Sequence, residues 1–287
     1  MATSVTSVSF VTIPAGEFLM GTETGGCAGD GEGPVHVVEL DAFRIDPYAL
    51  SNARFTRFIE DTDHQTEAQA FGWSYVFAGL LPDDFAPTRA AAATPWWRAV
   101  EGATWDHPEG PDTSLEGRAD HPVVHVSWSD AAAYASWSGT RLPTEAEWEA
   151  AARGGRAQKH FPWGDELEPD GRHAMNVFQG RFPVANTGGD GWFGTAPVHA
   201  FAPNDYGLYN VTGNVWEWTA DWYDPGWYAH APRHNPTGPS RGHHRVMRGG
   251  SYLCHASYCN RYRVDSRTGN TPDASAANIG IRLAADL

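Results

Sequence analysis

From residue 155 to its end, this sequence has no long helical period. Residues 245–247 and 279–283 alternate in the manner of short strands. Glycine and proline, with 31 and 20 residues, are more frequent than in an average protein, and both interrupt regular structure. The chain also has 13 tryptophans, whose large rings can hold irregular segments in place. We therefore expect a fold with little regular secondary structure.

Short helices are indicated before that point. The run SWSD at 127–130 has the pattern of a capping box and precedes an alanine-rich helix over residues 131–137. The run TEAE at 144–147 is a second capping box, and its helix is expected to end at Gly154. A further short helix is predicted over residues 52–60.

Two strands are predicted near the N-terminus, over residues 8–13 and 35–40. Residues 21–33 between them are rich in glycine and acidic side chains, which indicates a loop. Residues 81–115 contain several prolines and little periodicity, so we expect a long irregular segment there. Three tryptophans are expected to hold that segment in place: Trp96, Trp97 and Trp105. These elements predict one α+β domain over residues 1–287.

The charge balance excludes several classes of partner. Lys and Arg number 20 against 35 Asp and Glu, a formal net charge of −15, so nucleic-acid binding is not expected. Lys159 is the one lysine, which excludes a polybasic membrane patch. The sequence has no signal-like start, and three cysteines are too few for a disulfide framework. We expect a cytoplasmic monomer that does not bind membranes.

Cys254 and Cys259 are the most informative pair of residues. Two thiolates five positions apart can turn towards one point, and two soft ligands suit a low-coordinate ion such as Cu(I). The same spacing also fits a redox disulfide or two buried core thiols, and the residues alone leave these alternatives open. His255 lies between the cysteines, where it is either a ligand or a packing residue.

Oxygen-bearing side chains are frequent in the region before this pair. They offer the ligands that Ca²⁺ prefers, but their spacing is not that of an EF-hand, and such residues are also common in turns. On local grounds the turn interpretation is favoured. The residues concerned are Asn176, Asn186, Asp190, Asn204, Asp205, Asn210, Asn214 and Glu217.

Several sequence blocks resemble a known family, the formylglycine-generating enzymes, also called sulfatase-modifying factors. The resemblance extends from about residue 10 to the C-terminus and is looser near residues 61–71. The matching blocks are GEFLMG at 16–21, WDHPEG at 105–110, HPVVHVSW at 121–128, RLPTEAEW at 141–148, FPWG at 161–164, YGLYN at 206–210, GNVWEW at 213–218, RGGS at 248–251 and NIGIR at 278–282. Related sulfoxide synthases carry an H-x-x-x-H-x-E iron motif, which does not occur here.

The resemblance implies a fold related to C-type lectins and a set of site residues. Copper, as Cu(I) and Cu(II), would be bound by Cys254 and Cys259. Two structural Ca²⁺ ions would be bound, one by Asn176, Val177, Asp190 and Trp192, the other by Asn210, Gly213, Val215 and Glu217. The implied catalytic residues are Ser251, Cys254, His255, Tyr258, Cys259, Asn278 and Trp216.

The chain also departs from the family pattern. Ala135 and Val264 stand where secreted relatives resemble one another in having structural cysteines, so those disulfides are not expected. Cys27 lies in the glycine-rich loop and matches no family role, and we expect an incidental surface thiol there.

The activity implied by the resemblance is the copper-dependent oxidation of a peptidyl cysteine to Cα-formylglycine. The substrate would be an unfolded sulfatase polypeptide carrying C-x-P-x-R, with O₂ as oxidant and an external thiol as reductant. Two alternatives remain. One is a non-catalytic, Ca²⁺-stabilised binding module of the same fold. The other is a cofactor-free thiol oxidase in which Cys254 and Cys259 cycle through a disulfide.

Overall fold

The structure is a computed structural model that describes residues 9–24, 26–27 and 29–287. The predicted strand over residues 8–13 therefore begins outside the described residues, and so do residues 25 and 28 of the predicted loop. No helix in the described ranges is long and apolar enough to cross a membrane.

Four short α-helices are present among these residues. Both predicted capping boxes are confirmed, because Ser127 accepts from the backbone N–H of Asp130 at 3.0 Å and Thr144 accepts from that of Glu147 at 3.2 Å. The helix over Glu67–Phe71 was not predicted. The helices are α1 (Asn52–Thr62), α2 (Glu67–Phe71), α3 (Trp128–Trp137) and α4 (Glu145–Arg153).

Apart from three single-turn 3₁₀ helices, short strands provide the rest of the regular structure of the described residues. There they form five small sheets, so the expected α+β class with little regular secondary structure is confirmed. The strands are β1 (Val11–Ile13), β2 (Gly16–Met20), β3 (His36–Leu40), β4 (Phe43–Ile45), β5 (Trp73–Phe77), β6 (Ala90–Ala91), β7 (Thr94–Glu101), β8 (Gly180–Arg181), β9 (Ala185–Asn186), β10 (Trp216–Trp222), β11 (Arg245–Arg248), β12 (Arg267–Asn270), β13 (Ile279–Ile281) and β14 (Ala284–Ala285).

The prediction of an irregular segment over residues 81–115 was wrong for its centre. Strand β7 runs through it and pairs antiparallel with β5 and β6. Pro95 lies at the second residue of β7, near its end, where a missing N–H is tolerated. Backbone hydrogen bonds of β7 are made with β5, a separate segment of the chain. The local sequence of β7 therefore gave no sign of the strand.

One four-stranded sheet, in the order β12-β11-β10-β13, positions the residues predicted to be functional. β10 pairs antiparallel with β11 and parallel with β13, and Glu217 lies opposite both Arg248 and Gly280. Trp216 begins β10, while Ser251 follows β11 and Asn278 precedes β13. Neighbouring strand ends therefore bring these three residues together.

Buried ion pairs connect this sheet to α4. Arg248 is fully buried and contacts Glu145 at 3.0 Å and Glu149 at 2.5 Å. Arg267 on β12 contacts the same Glu145 at 2.7 Å, and Arg153 contacts Glu149 at 2.7 Å. Because isolated buried charges are costly, each of these groups depends on its partners for a stable position.

Candidate functional site

A cavity of about 520 Å³ opens beside the ends of β10, β11 and β13. The sharp bend after β11 requires glycine: Gly250 has φ +72°, and a Cβ there would lie 2.5 Å from the carbonyl oxygen of Arg261. This bend turns the following loop back over the sheet. Six of the seven predicted catalytic residues line the cavity: Trp216, Ser251, Cys254, Tyr258, Cys259 and Asn278.

Cys254 and Cys259 are free thiols that line this cavity together, close enough for each sulfur to shift the pKa of the other. Both are buried, with 2% and 6% of their surfaces exposed. Burial raises the pKa of Cys254 well above its usual value, and contact with the neighbouring sulfur adds to this effect. The pKa of Cys259 is lowered to about 7, because the Cys254 thiol donates to its sulfur and backbone N–H groups assist. The pair therefore loses a first proton readily, from Cys259, and retains the second on Cys254.

Ser251 is oriented as a hydrogen-bond donor to the cavity. Its Oγ accepts from Asn278 Nδ2 at 2.9 Å and from the backbone N–H of Leu253 at 3.3 Å. Two donors occupy the lone pairs of the hydroxyl, and its own O–H has no acceptor among the residues that the structure describes. The backbone N–H of Ser251 also donates to Cys254 Sγ at 3.4 Å.

Tyr258 forms part of an aromatic wall and is 39% exposed. Its ring stacks on Phe182 with centroids 4.5 Å apart and meets Trp96 edge-on at 5.0 Å. Burial raises the pKa of Tyr258, so the phenol stays protonated at neutral pH. Other aromatic rings that were not predicted as site residues continue this wall: Phe71, Trp73, Tyr75, Trp96 and Trp97.

His255 is not brought into this cavity. Its Nδ1 accepts from the backbone N–H of Ser257 at 3.2 Å, and its ring packs near Phe178 and Phe182. It lines a neighbouring pocket of about 250 Å³. A direct catalytic role for His255 thus remains a prediction that the geometry of the cavity does not favour.

Cys27 contacts the loop that carries the sulfur pair. Its Sγ donates to the carbonyl oxygen of Cys259 at 2.8 Å, so the expectation of an incidental surface thiol was wrong. The ligand atoms of Cys27, Asp30 and Glu32 lie within 4.8 Å of one another. Each carboxylate already has an arginine partner, Arg261 on Asp30 and Arg263 on Glu32. These contacts hold the glycine-rich loop against the cavity rather than forming an obvious cation site.

The first predicted calcium set has a donor arrangement that fits a hard cation. Oδ1 of Asn176 is buried and has no hydrogen-bond partner among the described residues. The carboxylate of Asp190 accepts three N–H bonds, from the backbone of Val177 at 3.1 Å and of Trp192 at 3.0 Å and from Gln179 Nε2 at 2.9 Å. An unpartnered amide oxygen and a carboxylate with one acceptor position left are ligands of the kind that Ca²⁺ prefers.

The second predicted set has a similar arrangement. Oδ1 of Asn210 is also buried without a partner among the described residues. The carboxylate of Glu217 likewise accepts three N–H bonds, two from Arg282 at 2.8 Å and one from Trp148 at 2.6 Å. A carboxylate has about four acceptor positions, so one remains for a cation. Gly213 and Val215 lie in the turn between Asn210 and Glu217.

Other members of the oxygen-rich group have structural roles. Asn204 Nδ2 donates to the carbonyl oxygens of Ala151 and Ala152 at the end of α4. Asp205 forms an exposed ion pair with Arg156. Asn204 Oδ1 also accepts from the backbone N–H of Tyr206 at 3.0 Å, and Asp205 lies in that turn, so the turn interpretation is correct for these two residues.

Fold and site together define a class: a small-sheet α+β scaffold that presents two adjacent thiols in an aromatic-walled cavity. Residues 2–287 match the family described as "Sulfatase-modifying factor enzyme 1-like domain". The chain belongs to this family.

Curated relatives support the assignment. The chain is 57% identical over 281 residues to the formylglycine-generating enzyme of Thermomonospora curvata, covering 96% of this chain and 93% of that protein. It is 54% identical to the formylglycine-generating enzyme of Mus musculus, covering 96% and 74%. It is also 42% identical to "Inactive C-alpha-formylglycine-generating enzyme 2" of Bos taurus, covering 97% and 88%.

A solved structure shows the same fold. PvdO from Pseudomonas aeruginosa has a TM-score of 0.71 at 24% identity, covering 97% of this chain and 94% of that chain.

Proposed function

We propose that this protein generates formylglycine by oxidising a peptidyl cysteine in an unfolded sulfatase polypeptide that carries C-x-P-x-R. The observation that carries the proposal is that the free thiols Cys254 and Cys259 line one cavity, which is large enough for part of a peptide. Support also comes from relatives at 54–57% identity that are named formylglycine-generating enzymes.

The reaction needs an oxidant and an outside reductant. Conversion of the thiol to an aldehyde balances as RCH₂SH + O₂ + 2 e⁻ + 2 H⁺ → RCHO + H₂S + H₂O. O₂ accepts four electrons in total, two from the substrate and two from an external thiol. This balance explains why a cellular thiol belongs among the proposed partners.

Copper is the proposed redox cofactor, cycling between Cu(I) and Cu(II). Two adjacent sulfurs form the soft donor set that Cu(I) prefers, so Cys254 and Cys259 would hold it. When bound, the metal would supply the one-electron chemistry with O₂ that protein side chains lack. Two structural Ca²⁺ ions are proposed at the sets that include Asn176 and Asn210.

The protein's own groups would orient the substrate and exclude water. Ser251 presents its free O–H beside the sulfurs, and Asn278 fixes that hydroxyl in place. The protonated phenol of Tyr258 offers a second donor, and the indole of Trp216 forms apolar wall. Asp273 also lines the cavity, and its carboxylate is our candidate partner for the motif's arginine.

A peptide assay tests the proposed function. The reduced protein is loaded with Cu(I) and incubated with O₂, a thiol and a C-x-P-x-R peptide. We expect the peptide to lose sulfur, gain an aldehyde and release H₂S. Cys254→Ala and Cys259→Ala should abolish conversion, while Cys27→Ser, a matched change at the third thiol, should retain it. Conversion at the full rate by either alanine variant would contradict the proposal.

A cofactor-free thiol oxidase is the second candidate, because two adjacent free thiols can also form a disulfide. It predicts that conversion persists when a tight Cu(I) chelator is present. A Ca²⁺-stabilised binding module, the remaining alternative, predicts peptide binding without conversion. The inactive relative at 42% identity shows that this family also includes a member named as inactive. The same peptide assay, with and without chelator, distinguishes all three.

A further inference from the structure

A chain of buried hydrogen bonds leads from the protein interior to the cavity. His125 Nε2 lies 2.8 Å from the carbonyl oxygen of Pro108, and His125 Nδ1 lies 2.8 Å from Ser74 Oγ. Ser74 Oγ lies 2.7 Å from Ser275 Oγ. His125 and Ser74 are almost completely buried, whereas Ser275 lines the cavity.

The backbone holds this chain of groups in register. Ser74 is on β5, and the neighbouring residues Tyr75 and Ala276 form a parallel bridge. The backbone N–H of Ala277 donates to the carbonyl oxygen of Tyr75 at 2.9 Å, and that of His125 donates to the carbonyl oxygen of Ala276 at 3.0 Å. The two serine hydroxyls are therefore fixed opposite each other by main-chain bonds on either side.

The direction of each bond follows by elimination. A carbonyl oxygen only accepts, so His125 Nε2 must carry a proton and donate to Pro108. Burial keeps the ring neutral by lowering its pKa to about 4, so Nδ1 is an acceptor and receives the proton of Ser74. Ser74 has a single hydroxyl proton, and Ser275 must therefore donate to it.

Ser275 is left as an acceptor towards the cavity. Its one proton is directed at Ser74, and no donor among the described residues reaches its free lone pairs. Ser251, on the same cavity, has the opposite polarity, since its lone pairs are occupied and its proton is free. The cavity thus offers one fixed donor and one fixed acceptor from two serines.

We infer that Ser275 Oγ accepts a hydrogen bond from an N–H group of the bound peptide and so helps to set its register, with His125 as the positioning residue. The inference rests on the proposed function, because it assumes that the cavity takes a peptide. A peptide offers two kinds of N–H here, its backbone amides and an arginine guanidinium. A buried acceptor discriminates against a ligand without the matching donor, since that ligand leaves the acceptor unpaired.

A double-mutant cycle, in which one group is changed in the protein and one in the peptide, tests the inference. The probe is a C-x-P-x-R peptide whose cysteine is replaced by serine, so that binding to the copper-free, reduced protein is measured without reaction. In one set of analogues, each peptide carries one N-methyl group at a different non-proline amide. A further analogue has norleucine in place of arginine. Dissociation constants are measured by tryptophan fluorescence for the wild type, for Ser275→Ala and for Thr271→Ala, a control at another hydroxyl that lines the cavity.

For the unmodified peptide, Ser275→Ala is expected to weaken binding by about 3- to 10-fold. One analogue should bind the wild type more weakly and lose nothing further in Ser275→Ala. An N-methyl analogue with this behaviour identifies a backbone amide, and the norleucine analogue identifies the guanidinium. Thr271→Ala should show no such coupling with any analogue. If Ser275→Ala does not fold, Ser275→Cys provides the same comparison, because a thiol has similar size but is a weak acceptor.

The inference would be overturned if the wild type and Ser275→Ala bound the unmodified peptide with equal affinity. It would also be overturned if Ser275→Ala weakened the binding of every analogue by the same factor. His125→Asn separates positioning from simple packing: in a folded variant the coupling between Ser275 and the peptide N–H should shrink although Ser275 is unchanged. Unaltered coupling in that variant would remove the role assigned to His125. If the wild type does not bind the peptide at all, the proposed function fails as well, which is a distinguishable result.

Discussion

The thiol of Cys27 donates to the carbonyl oxygen of Cys259 at 2.8 Å. This bond joins the glycine-rich loop to the loop that carries the sulfur pair. Arg261, two residues beyond Cys259, strengthens the junction through contacts to Asp30 at 2.5 and 3.0 Å. The position of Cys259 therefore depends on a loop more than 200 residues earlier in the chain.

Removal of the Cys27 thiol should destabilise this junction. We expect Cys27→Ala to lower the free energy of unfolding by about 1 kcal/mol, because the hydrogen bond and part of the packing are lost. Cys27→Ser keeps a donor of similar size and should remain closer to wild type. Urea unfolding of the two variants checks this. An alanine variant as stable as the wild type would show that the contact contributes nothing to the free energy of unfolding.

The two cavity thiols should differ in reactivity in the metal-free protein. The pKa of Cys259 is lowered to about 7 and that of Cys254 is raised. Iodoacetamide alkylates the thiolate form of cysteine, not the thiol. We expect iodoacetamide at pH 8 to label Cys259 first, with a rate that rises through about pH 7. Peptide mapping by mass spectrometry identifies the labelled residue. Preferential labelling of Cys254 would contradict the assignment of the first-lost proton to Cys259.

Arg248, the buried arginine of β11 that pairs with glutamates of α4, should be important for stability. Arg248→Met leaves Glu149 with one fewer cationic partner and should cost about 3–5 kcal/mol of unfolding free energy. Arg156→Met removes an exposed pair with Asp205 and serves as the matched control, for which we expect little change. Urea unfolding measures both. Similar losses in the two variants would refute the importance given to burial.

His125 should make the protein less stable in mild acid. Its pKa is about 4 in the folded state against an ordinary value of 6.5, so the unfolded chain binds the extra proton between these values. Stability from this group is complete above pH 6.5 and is lost as the pH falls towards 4, with a loss of about 2 kcal/mol by pH 5.

His125→Asn provides the comparison for this effect. Asparagine tolerates the positive φ of +59° at this position and does not titrate. The wild type should lose about 2 kcal/mol more unfolding free energy than the variant between pH 7.5 and pH 5. Parallel pH profiles in urea unfolding would show that His125 is not the group responsible.

Local signals in the sequence predicted three of the four helices in the described residues, and α2 was missed although Thr66 and Gln69 form a capping box at its start. The capping boxes at Ser127 and Thr144 act within four residues, so short-range chemistry is enough to identify them. Strands β5, β7 and β10 were missed, since their stability comes from ladders to distant segments and their tryptophan-rich sequences show no clear alternation.

The site could be predicted only in part. Cys254 and Cys259 stand out because two thiols at short spacing have distinctive chemistry, and the structure places both on one cavity. The roles of Cys27 and Ser275 depend on partners about 200 residues away in sequence, Cys259 and Ser74. No local pattern carries such information, which is why neither residue was predicted to act at the cavity.

The central claim is that Cys254 and Cys259 together bind Cu(I). The most direct measurement is an anaerobic titration of the reduced protein against a chromogenic Cu(I) chelator. We predict one tightly bound Cu(I) per chain in the wild type and in Cys27→Ser, and its loss in both Cys254→Ser and Cys259→Ser. Tight, stoichiometric Cu(I) binding by either of the last two variants, or none by the wild type, would contradict the account.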